Sequence, residues 1–575
     1  MENKPKYRRS TRHLSHQARD LSEVTSEDVF SNSVSADEAD ETRLFTLKPE
    51  IPEEQGISRF SNESASGSSD YDMDYRFERP TRGEKKGVHT ARARGGVSVS
   101  SYGFLLFVSI LVSFSFYSFP FFMRLSDSRA QSTALYSGFA MSHHAMPYNN
   151  FYASDGPLFY LANQIGALGG TSLLFWIFEI LALFFSSVFI LKTVASVTET
   201  ENQKVASVVA SFAILAIAGI SMGGESGIIL GLPFALYGVR LLTDYMADSK
   251  RHRDEAFILY GIAGAAASLF APIFLSIWVI GFLALIGCNI RWQLMARGFY
   301  QFLASLFGFL LIYAVVGYYT LSAGIFTAVL EQAVIVPFRH FLFNTTGFVH
   351  LGMTLGLLLL YGLITSWLTG FRFVGLSTHK IWTSTLLILS ALVMAVSAFR
   401  ADFVTADALA ALPLLFIFSG MRLAERADSE IIETRRGTVG LFLRHTLALP
   451  VFGLLFLLAF PVANTIFHAN LFASEKSAAS YVKENTSASQ EVFVFGADEN
   501  INLLSKRTSS LDYPPSYMPK ENQLAFDTHI SEATAKLIVV EKGKTQPASL
   551  KAILKTGYTQ TSFKDNNFTI YAKKK

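Results

Sequence analysis

The sequence predicts a mainly helical, polytopic membrane protein with a disordered N-terminal tail and a small extracellular α/β domain at its C-terminus. Half of the 575 residues are hydrophobic, 51 are phenylalanine and only 17% are charged, whereas soluble domains carry roughly 25% charged residues. The mean hydropathy is positive, at +0.32. Several apolar stretches approach or reach the roughly 20 residues that a helix needs to cross a bilayer.

Residues 1–98 form the predicted cytoplasmic tail. This segment is polar, rich in serine and of mixed charge, so it buries too little apolar surface to offset the entropy of an ordered chain. Its start, MENKPKYRRSTRH, lacks the apolar region of a secretory signal peptide. It ends in the basic stretch TRGEKKGVHTARARGG, directly before the first apolar run.

The predicted membrane domain covers residues 99–466 and contains about eleven spans. They are 102–122, 171–191, 205–222, 226–246, 256–271, 272–289, 299–320, 348–369, 380–398, 404–420 and 438–461. The pair that meets at Ala271-Pro272 is open to a second interpretation, one long broken helix. That alternative would change the count and move the C-terminus to the other side of the membrane.

The distribution of basic residues predicts the topology. With a cytoplasmic N-terminus, the inner segments include KKGVHTARAR, SKRHRDE, NIRWQLMARG and RLAERADSEIIETRRG, whereas the short outer loops hold only Arg124, Arg129, Arg339 and Arg400. Cytoplasmic loops carry the excess of lysine and arginine. The loop 123–170 and the C-terminal tail are therefore both expected outside the cell.

The predicted extracellular domain covers residues 467–575, long enough for a core of its own. SEKSAASYVKEN indicates a helix, and EVFVFG and KLIVVE indicate short buried strands. SLKAILKTG predicts a helix that ends at Gly557, and YTQTSFKDNNFTIYAK predicts a hairpin that turns at residues 565–567.

The loop 123–170 holds the first candidates for chemistry. Asp127, just outside the first span, has the features of a general base with a tuned pKa, or of a helix N-cap. For Asp155, two residues before Pro157, a helix cap is the favoured interpretation over a catalytic role. The adjacent His143 and His144 point in different directions on any regular element.

Further candidates lie in the other outer loops and within one span. Glu225 occupies the glycine turn GGESG, and Arg339, His340 and Arg400 lie where guanidinium groups suit a lipid phosphate, although arginines also snorkel at this depth. Glu179 falls inside the apolar run LLFWIFEILALFF, where an ionisable group is costly and marks a functional candidate.

The remaining motifs narrow the function classes. One cysteine, Cys288, excludes internal disulfides and fits a bacterial surface protein. The sequence has no metal-ligand spacing, P-loop, dinucleotide fingerprint, GxSxG or HExxH, so no cofactor is predicted, although a divalent cation stays open. The net charge of +3 gives no reason to expect nucleic acid.

In this order, the motifs resemble the GT-C superfamily of integral-membrane glycosyltransferases, particularly the bacterial branch of protein O-mannosyltransferases and aminoarabinose transferases. The matching positions are Asp127, Tyr136, Pro147-Tyr148 and Pro157-Leu158 in the first loop, ESGIILGLPFALYGVRLL in the fourth span, and EVFVFGADENINLLSKRTSS and KLIVVEKG in the tail. Ser128 departs from the pattern, because the family often has glutamate after the loop aspartate.

The resemblance implies a sugar donor carried on polyprenyl phosphate and a surface acceptor, namely a wall glycan, teichoic acid, lipid or protein. Asp127 would deprotonate or orient the acceptor hydroxyl, and the transfer would invert the anomeric centre. Arg129, Arg339 and Arg400 would hold the lipid phosphate. Two other functions stay open, a transporter or flippase and a non-catalytic scaffold of cell-envelope assembly.

Overall fold

The structure is a computed structural model that describes residues 98–119, 129–151, 153, 155–197, 203–221, 223–224, 227–247, 255–336, 348–360, 362–374, 380–399, 405–418, 420, 448–497, 499–510 and 535–574. The chain divides into two units, Met1–Val88 and His89–Lys575, and every described residue belongs to the second. Apart from Ser98, the predicted N-terminal tail therefore lies outside the described residues.

Helices make up most of the described chain. In order, they are α1 Val99–Ser113, α2 Arg129–Ser142, α3 Pro157–Gly166, α4 Leu173–Val197, α5 Gln203–Ile220, α6 Gly227–Ala247, α7 Ala256–Phe270, α8 Phe274–Arg291, α9 Met295–Ser322, α10 Phe326–Val329, α11 Phe348–Leu360, α12 Leu363–Val374, α13 Lys380–Phe399 and α14 Ala448–Asn485. A π-helical turn, Leu330–Ile335, continues α10, and a 3₁₀ segment, Thr405–Ala410, leads into helical residues up to 418.

Six of the described helices are long and apolar enough to cross a membrane, namely α4, α6, α8, α9, α13 and the part of α14 from Leu457. The predicted spans 102–122, 205–222, 256–271 and 404–420 overlap shorter apolar helices, and 438–461 overlaps the start of α14. The single predicted span 348–369 is wrong, because α11 ends at Leu360 and a second helix, α12, begins at Leu363. The chain is thus a multi-pass membrane protein, and the count of eleven stays a prediction. Inside the protein, 78% of the apolar window of α6 is buried but only 17% of that of α9, so α6 is central and α9 peripheral.

The junction at Ala271-Pro272 separates two helices. Ala271 is extended, with φ −143° and ψ 116°, and α8 begins at Phe274. Proline has no N–H to donate and clashes with the preceding helical turn, which explains the stop. The small residues of α7 allow close packing against α9, because a Cβ added at Gly261 would lie 1.9 Å from the carbonyl oxygen of Ser305.

The C-terminal domain is a four-stranded sheet between helices. Its strands are β1 Val492–Phe495, β2 Leu537–Glu541, β3 Tyr558–Gln560 and β4 Phe568–Lys573, in the order β1-β2-β4-β3, with only β1 and β2 parallel. Its described residues also include two short helices, α15 Asn500–Ser505 and α16 Ala548–Gly557. Both faces of the sheet are buried, one against α16 and the other against α14 and α15. Because both faces are buried, the strand sequences are continuously apolar and do not alternate.

The last membrane helix continues into the C-terminal domain without a break. The sequence predicts a span that ends near residue 461 and a separate helix at 474–485, but α14 joins the two in one helix of 38 residues. At 1.5 Å per residue its length is about 57 Å. The predicted domain boundary at residues 466–467 therefore lies inside a helix.

Candidate functional site

The first loop folds into two short helices, α2 and α3, that pack on each other. Contact is close because Gly138 of α2 lies over α3, where an added Cβ would be 2.4 Å from the carbonyl oxygen of Asn163. Tyr136 of α2 and Phe159 of α3 are buried, at 5% and 2% exposure. The loop is therefore a packed part of the protein and not a loose connection between spans.

The C-terminal domain holds α2 through side chains that are far apart in sequence. The hydroxyl of Thr133 donates a hydrogen bond to Oε2 of Glu499 at 2.7 Å, and the N–H of Ser509 donates to the hydroxyl of Tyr136 at 2.6 Å. Just before the loop, the hydroxyl of Tyr117 donates to Oδ1 of Asn500 at 2.5 Å. These contacts place the first loop and the C-terminal domain on the same side of the helical bundle.

Tyr148 anchors the connection between α2 and α3. It is 3% exposed and has φ +67°, and its hydroxyl donates to the carbonyl oxygen of Asp155 at 2.6 Å. Gln332, in the π-helical turn, donates to the carbonyl oxygen of Tyr148 at 2.9 Å and accepts from the N–H of Ala153 at 3.1 Å. Burial, and secondly the charge of Asp155, raises the pKa of Tyr148 well above its ordinary value, so its hydroxyl stays a donor at neutral pH.

Asp155 does not cap α3, contrary to the favoured interpretation of the sequence. The N-cap is Gly156, without a side-chain cap hydrogen bond, and Pro157 opens the helix. The carboxylate lies instead beside the N-terminus of α6, since a Cβ added at Gly227 would be 3.1 Å from its Oδ1. The partial positive charge of a helix N-terminus stabilises a carboxylate there.

Glu179 lies near the N-terminal end of α4, whereas the sequence suggested a position in the middle of a span. It comes six residues after the first residue of α4, about 9 Å along the helix, and its side chain is fully buried. The hydroxyl of Ser118 donates to its Oε2. A Cβ added at Gly224 would lie 2.6 Å from its Oε1, so the carboxylate reaches the turn between α5 and α6.

Two acidic side chains thus converge on one turn. Glu179 approaches Gly224 and Asp155 approaches Gly227, and these glycines flank Glu225 in the sequence. Two described carboxyl groups from separate parts of the sequence therefore lie near the start of α6. Glu225 itself lies outside the described residues.

A cavity of about 430 Å³ lies between α2 and the C-terminal domain. Its walls carry carboxylates, hydroxyls, imidazoles and one ammonium group, of which the charged members are Glu491, Glu499 and Lys544. Lys544 packs across Gly496, whose φ is +87° and where an added Cβ would lie 2.9 Å from Cγ of the lysine. Cavities of roughly 300–1,000 Å³ are the usual size for small-molecule sites.

His143 and His144 line the same cavity at the end of α2. The ring of His143 packs against that of Phe139 at an angle of 45°, with centroids 4.4 Å apart, and its Nδ1 lies 3.0 Å from the carbonyl oxygen of that residue. His144 follows with φ +72°. Within the described ranges, no three His, Cys, Asp or Glu side chains are grouped as metal ligands.

Most of the other predicted site residues lie outside the described part of the chain. This is so for Asp127, Arg339, His340 and Arg400. The backbone of Arg129 begins α2, but its side chain is not described. Tyr148 and Asp155 are the two predicted site residues that the structure places and connects by a hydrogen bond.

The sequence reasoning missed the residues that the tail and the π-helical turn contribute. Glu499, Ser509 and Lys544 line the cavity, and no local pattern marks them, because they meet α2 only through the fold. Gln332 had a weak signal, since it and Glu331 are the polar pair in the apolar run FTAVLEQAVIV.

Family models match almost the whole described chain. "Putative competence-induced protein Ccs4 N-terminal domain" matches residues 90–469, and the corresponding Ccs4 C-terminal domain matches residues 473–574. The chain belongs to the competence-induced Ccs4 family. No curated protein matches this member of the family.

Solved structures reveal the fold of this Ccs4 family member. Two structures of ArnT from Cupriavidus metallidurans, one bound to undecaprenyl phosphate and one in the apo state, match at a TM-score of 0.53. Each covers 83% of this chain and 98% of the ArnT chain at 13% identity. The resemblance to the GT-C superfamily is confirmed at the level of the fold.

Proposed function

We propose that the chain is a membrane glycosyltransferase that moves a sugar from a polyprenyl-phosphate donor to a cell-surface acceptor on the outer face of the membrane. The likeness to ArnT carries this proposal, because it extends over 98% of a chain whose structure was solved with undecaprenyl phosphate bound. The packed first loop supports it, since the resemblance assigns the catalytic aspartate to that loop.

In the proposed reaction, an acceptor hydroxyl attacks the anomeric carbon of the donor sugar. The new bond joins the acceptor oxygen to this carbon, the bond from the carbon to the phosphate oxygen breaks, and polyprenyl phosphate leaves. Asp127, two residues before the start of α2 in the sequence, takes the hydroxyl proton as general base. Attack from the side opposite the leaving group inverts the anomeric centre.

Cationic side chains hold the donor in this proposal. Arg129, Arg339 and Arg400 bind the lipid phosphate through forked hydrogen bonds and stabilise the charge that develops on it. His340, adjacent to Arg339, is assigned to the same substrate site. No step requires a metal ion, although a divalent cation at the phosphate stays compatible with the scheme.

The acids near the start of α6 form the sugar side of the proposed site. Asp155 lies beside Gly227, and Glu225 precedes that glycine by two residues, so both acids are assigned to the hydroxyl groups of the substrate. Tyr148, bonded to the backbone of Asp155, positions the loop that carries it. The proposed topology has the N-terminus in the cytoplasm and these groups outside.

The test is the surface-glycan composition of a deletion strain complemented with wild type, with Asp127→Asn or with Glu484→Gln. Glu484 is an exposed carboxylate in the C-terminal domain and serves as the matched control. We expect one sugar substituent to disappear on deletion and to return with wild type and Glu484→Gln only. Equal membrane levels of all variants exclude a folding defect.

Other outcomes would favour the alternative functions. Full restoration by Asp127→Asn would contradict the catalytic assignment and favour a scaffold in envelope assembly. Accumulation of the lipid-linked sugar on the inner leaflet of the deletion strain would favour a flippase.

A further inference from the structure

The wall of the cavity between α2 and the C-terminal domain includes a residue, Ser510, whose hydroxyl has no partner among the described residues. Oγ of Ser510 is buried and makes no hydrogen bond to any described residue, and Ser510 lines the cavity. A buried hydroxyl without a partner costs free energy that a ligand in hydrogen-bond reach would recover.

The cavity walls offer both kinds of hydrogen-bond partner. Glu491 and Glu499 accept, Lys544 donates, and the hydroxyls of Ser510 and Thr545 do both. A sugar hydroxyl also donates and accepts, so a hydroxyl-rich ligand satisfies this mixed set better than a ligand that only accepts.

The balance of charge selects among hydroxyl-rich ligands. Among the described lining residues, Glu491 and Glu499 are the acidic side chains and Lys544 is the lysine, so carboxyl groups outnumber ammonium groups by one. A polymer with a phosphate on every unit would meet more repulsion than attraction. An uncharged sugar chain meets neither.

The position of the cavity on α2 sets the length of the ligand. Tyr136, at its wall, comes seven residues after the first residue of α2, which is about 10 Å along the helix. The proposed general base, Asp127, comes two residues before α2 in the sequence. An acceptor that occupies the cavity and also reaches the start of α2 must therefore be a chain and not a single sugar.

We propose that this cavity binds the acceptor as an uncharged polysaccharide chain, held jointly by α2 and the C-terminal domain. The proposal rests on the transferase function proposed above. It assigns the C-terminal domain a direct role in recognising the acceptor, through Glu491, Glu499, Ser510 and Lys544.

The experiment uses the full-length protein in lipid nanodiscs. The probe is surface polysaccharide from the deletion strain, hydrolysed to short fragments and separated by anion exchange into uncharged and phosphate-containing pools. Fragments retained by the discs are identified by mass spectrometry. Binding of undecaprenyl phosphate is measured on the same discs, so a failure of the donor site is seen separately from a failure of the cavity.

The variants are placed at exposed positions, so we expect none of them to disturb folding. Thr545→Trp fills the mouth of the cavity, and Thr559→Trp places the same side chain on the edge strand β3, outside the cavity lining. Lys544→Met removes the donor, and Lys551→Met on α16 is its control. We expect both cavity variants to lower retention of uncharged fragments about tenfold or more, equivalent to one or two hydrogen bonds, and both controls to retain them as wild type does.

Three results would overturn the proposal. Equal retention by Thr545→Trp and Thr559→Trp would show that the fragments bind elsewhere. Preferential retention of the phosphate-containing pool would refute the charge argument, and retention of neither pool by discs that bind undecaprenyl phosphate would refute an acceptor site in this cavity.

Discussion

Arg507 gives the sharpest test of how the C-terminal domain is built. Its side chain is 7% exposed, and it donates from Nε to the hydroxyl of Thr486 at 2.8 Å and from the guanidinium nitrogens to four carbonyl oxygens. The carbonyls of Lys483 and Thr486 belong to the C-terminal end of α14, and those of Ser505 and Lys506 to the end of α15. The guanidinium group of Arg507 therefore supplies hydrogen-bond donors to carbonyl groups at the C-terminal ends of two helices.

The expected cost of Arg507→Met follows from these contacts. The two shortest bonds, both to Thr486, are buried, and each charge-assisted bond contributes about 1.5–3 kcal/mol. Of the other three bonds, those to Lys506 and Lys483 are only partly buried, so water can replace them in part, and the net loss of unfolding free energy is about 3–5 kcal/mol. For a domain of roughly 100 residues, this lowers the melting temperature by about 12 °C or more.

Heating followed by brief proteolysis measures this loss on the full chain, with a C-terminal tag that reports cleavage of the domain. Lys506→Met is the matched control, because Lys506 is an exposed neighbour, and it should melt like wild type. Arg507→Lys keeps the charge but not the fork and should fall between the two. A melting temperature of Arg507→Met within about 2 °C of wild type would refute the reasoning.

Three further predictions concern the first loop and the helical bundle. Gly156→Ala should release the loop to proteolysis, because its Cβ would lie 1.9 Å from the carbonyl oxygen of Leu269, whereas Gly287→Ala, with open space around it, should not. Asn289→Leu opens a closed ring of hydrogen bonds with Tyr245 and Gln301 and should cost about 1–2 kcal/mol in thermal unfolding. Tyr148→Phe should flatten the pH dependence of loop proteolysis: burial raises the pKa of this tyrosine, so the unfolded chain alone releases the proton and wild type loses stability as pH rises through about 10.

Local sequence patterns were sufficient to predict the four strands and the helix α16 of the C-terminal domain. Continuous apolar runs indicated β1 and β2 because both faces of the sheet are covered, and the turn at residues 565–567 leads into β4, which pairs with β3. The helix before Gly557 ends where predicted. These elements depend on neighbours in sequence, which is why composition and spacing reveal them.

Contacts between distant segments were not predictable in the same way. Thr133 and Glu499 are 366 positions apart, and neither stands out in its local sequence. Asp155 precedes a proline, as a capping residue often does, yet its carboxylate lies beside another helix. Glu179 was predicted in the middle of a span at 171–191, but α4 continues to Val197, so the residue lies in the first third of the helix.

The continuity of α14 gives the C-terminal domain a fixed rotational phase. A helix turns by about 100° per residue, so one residue inserted between the membrane part and the domain would swing Glu499 and Ser509 away from α2, although no contact residue had changed. Seven inserted residues, about two turns, would restore the direction but lift the domain by about 10 Å. In this protein, the length and rotational phase of α14 set the position of the C-terminal domain. In domains joined by flexible tethers, the composition of the linker does this.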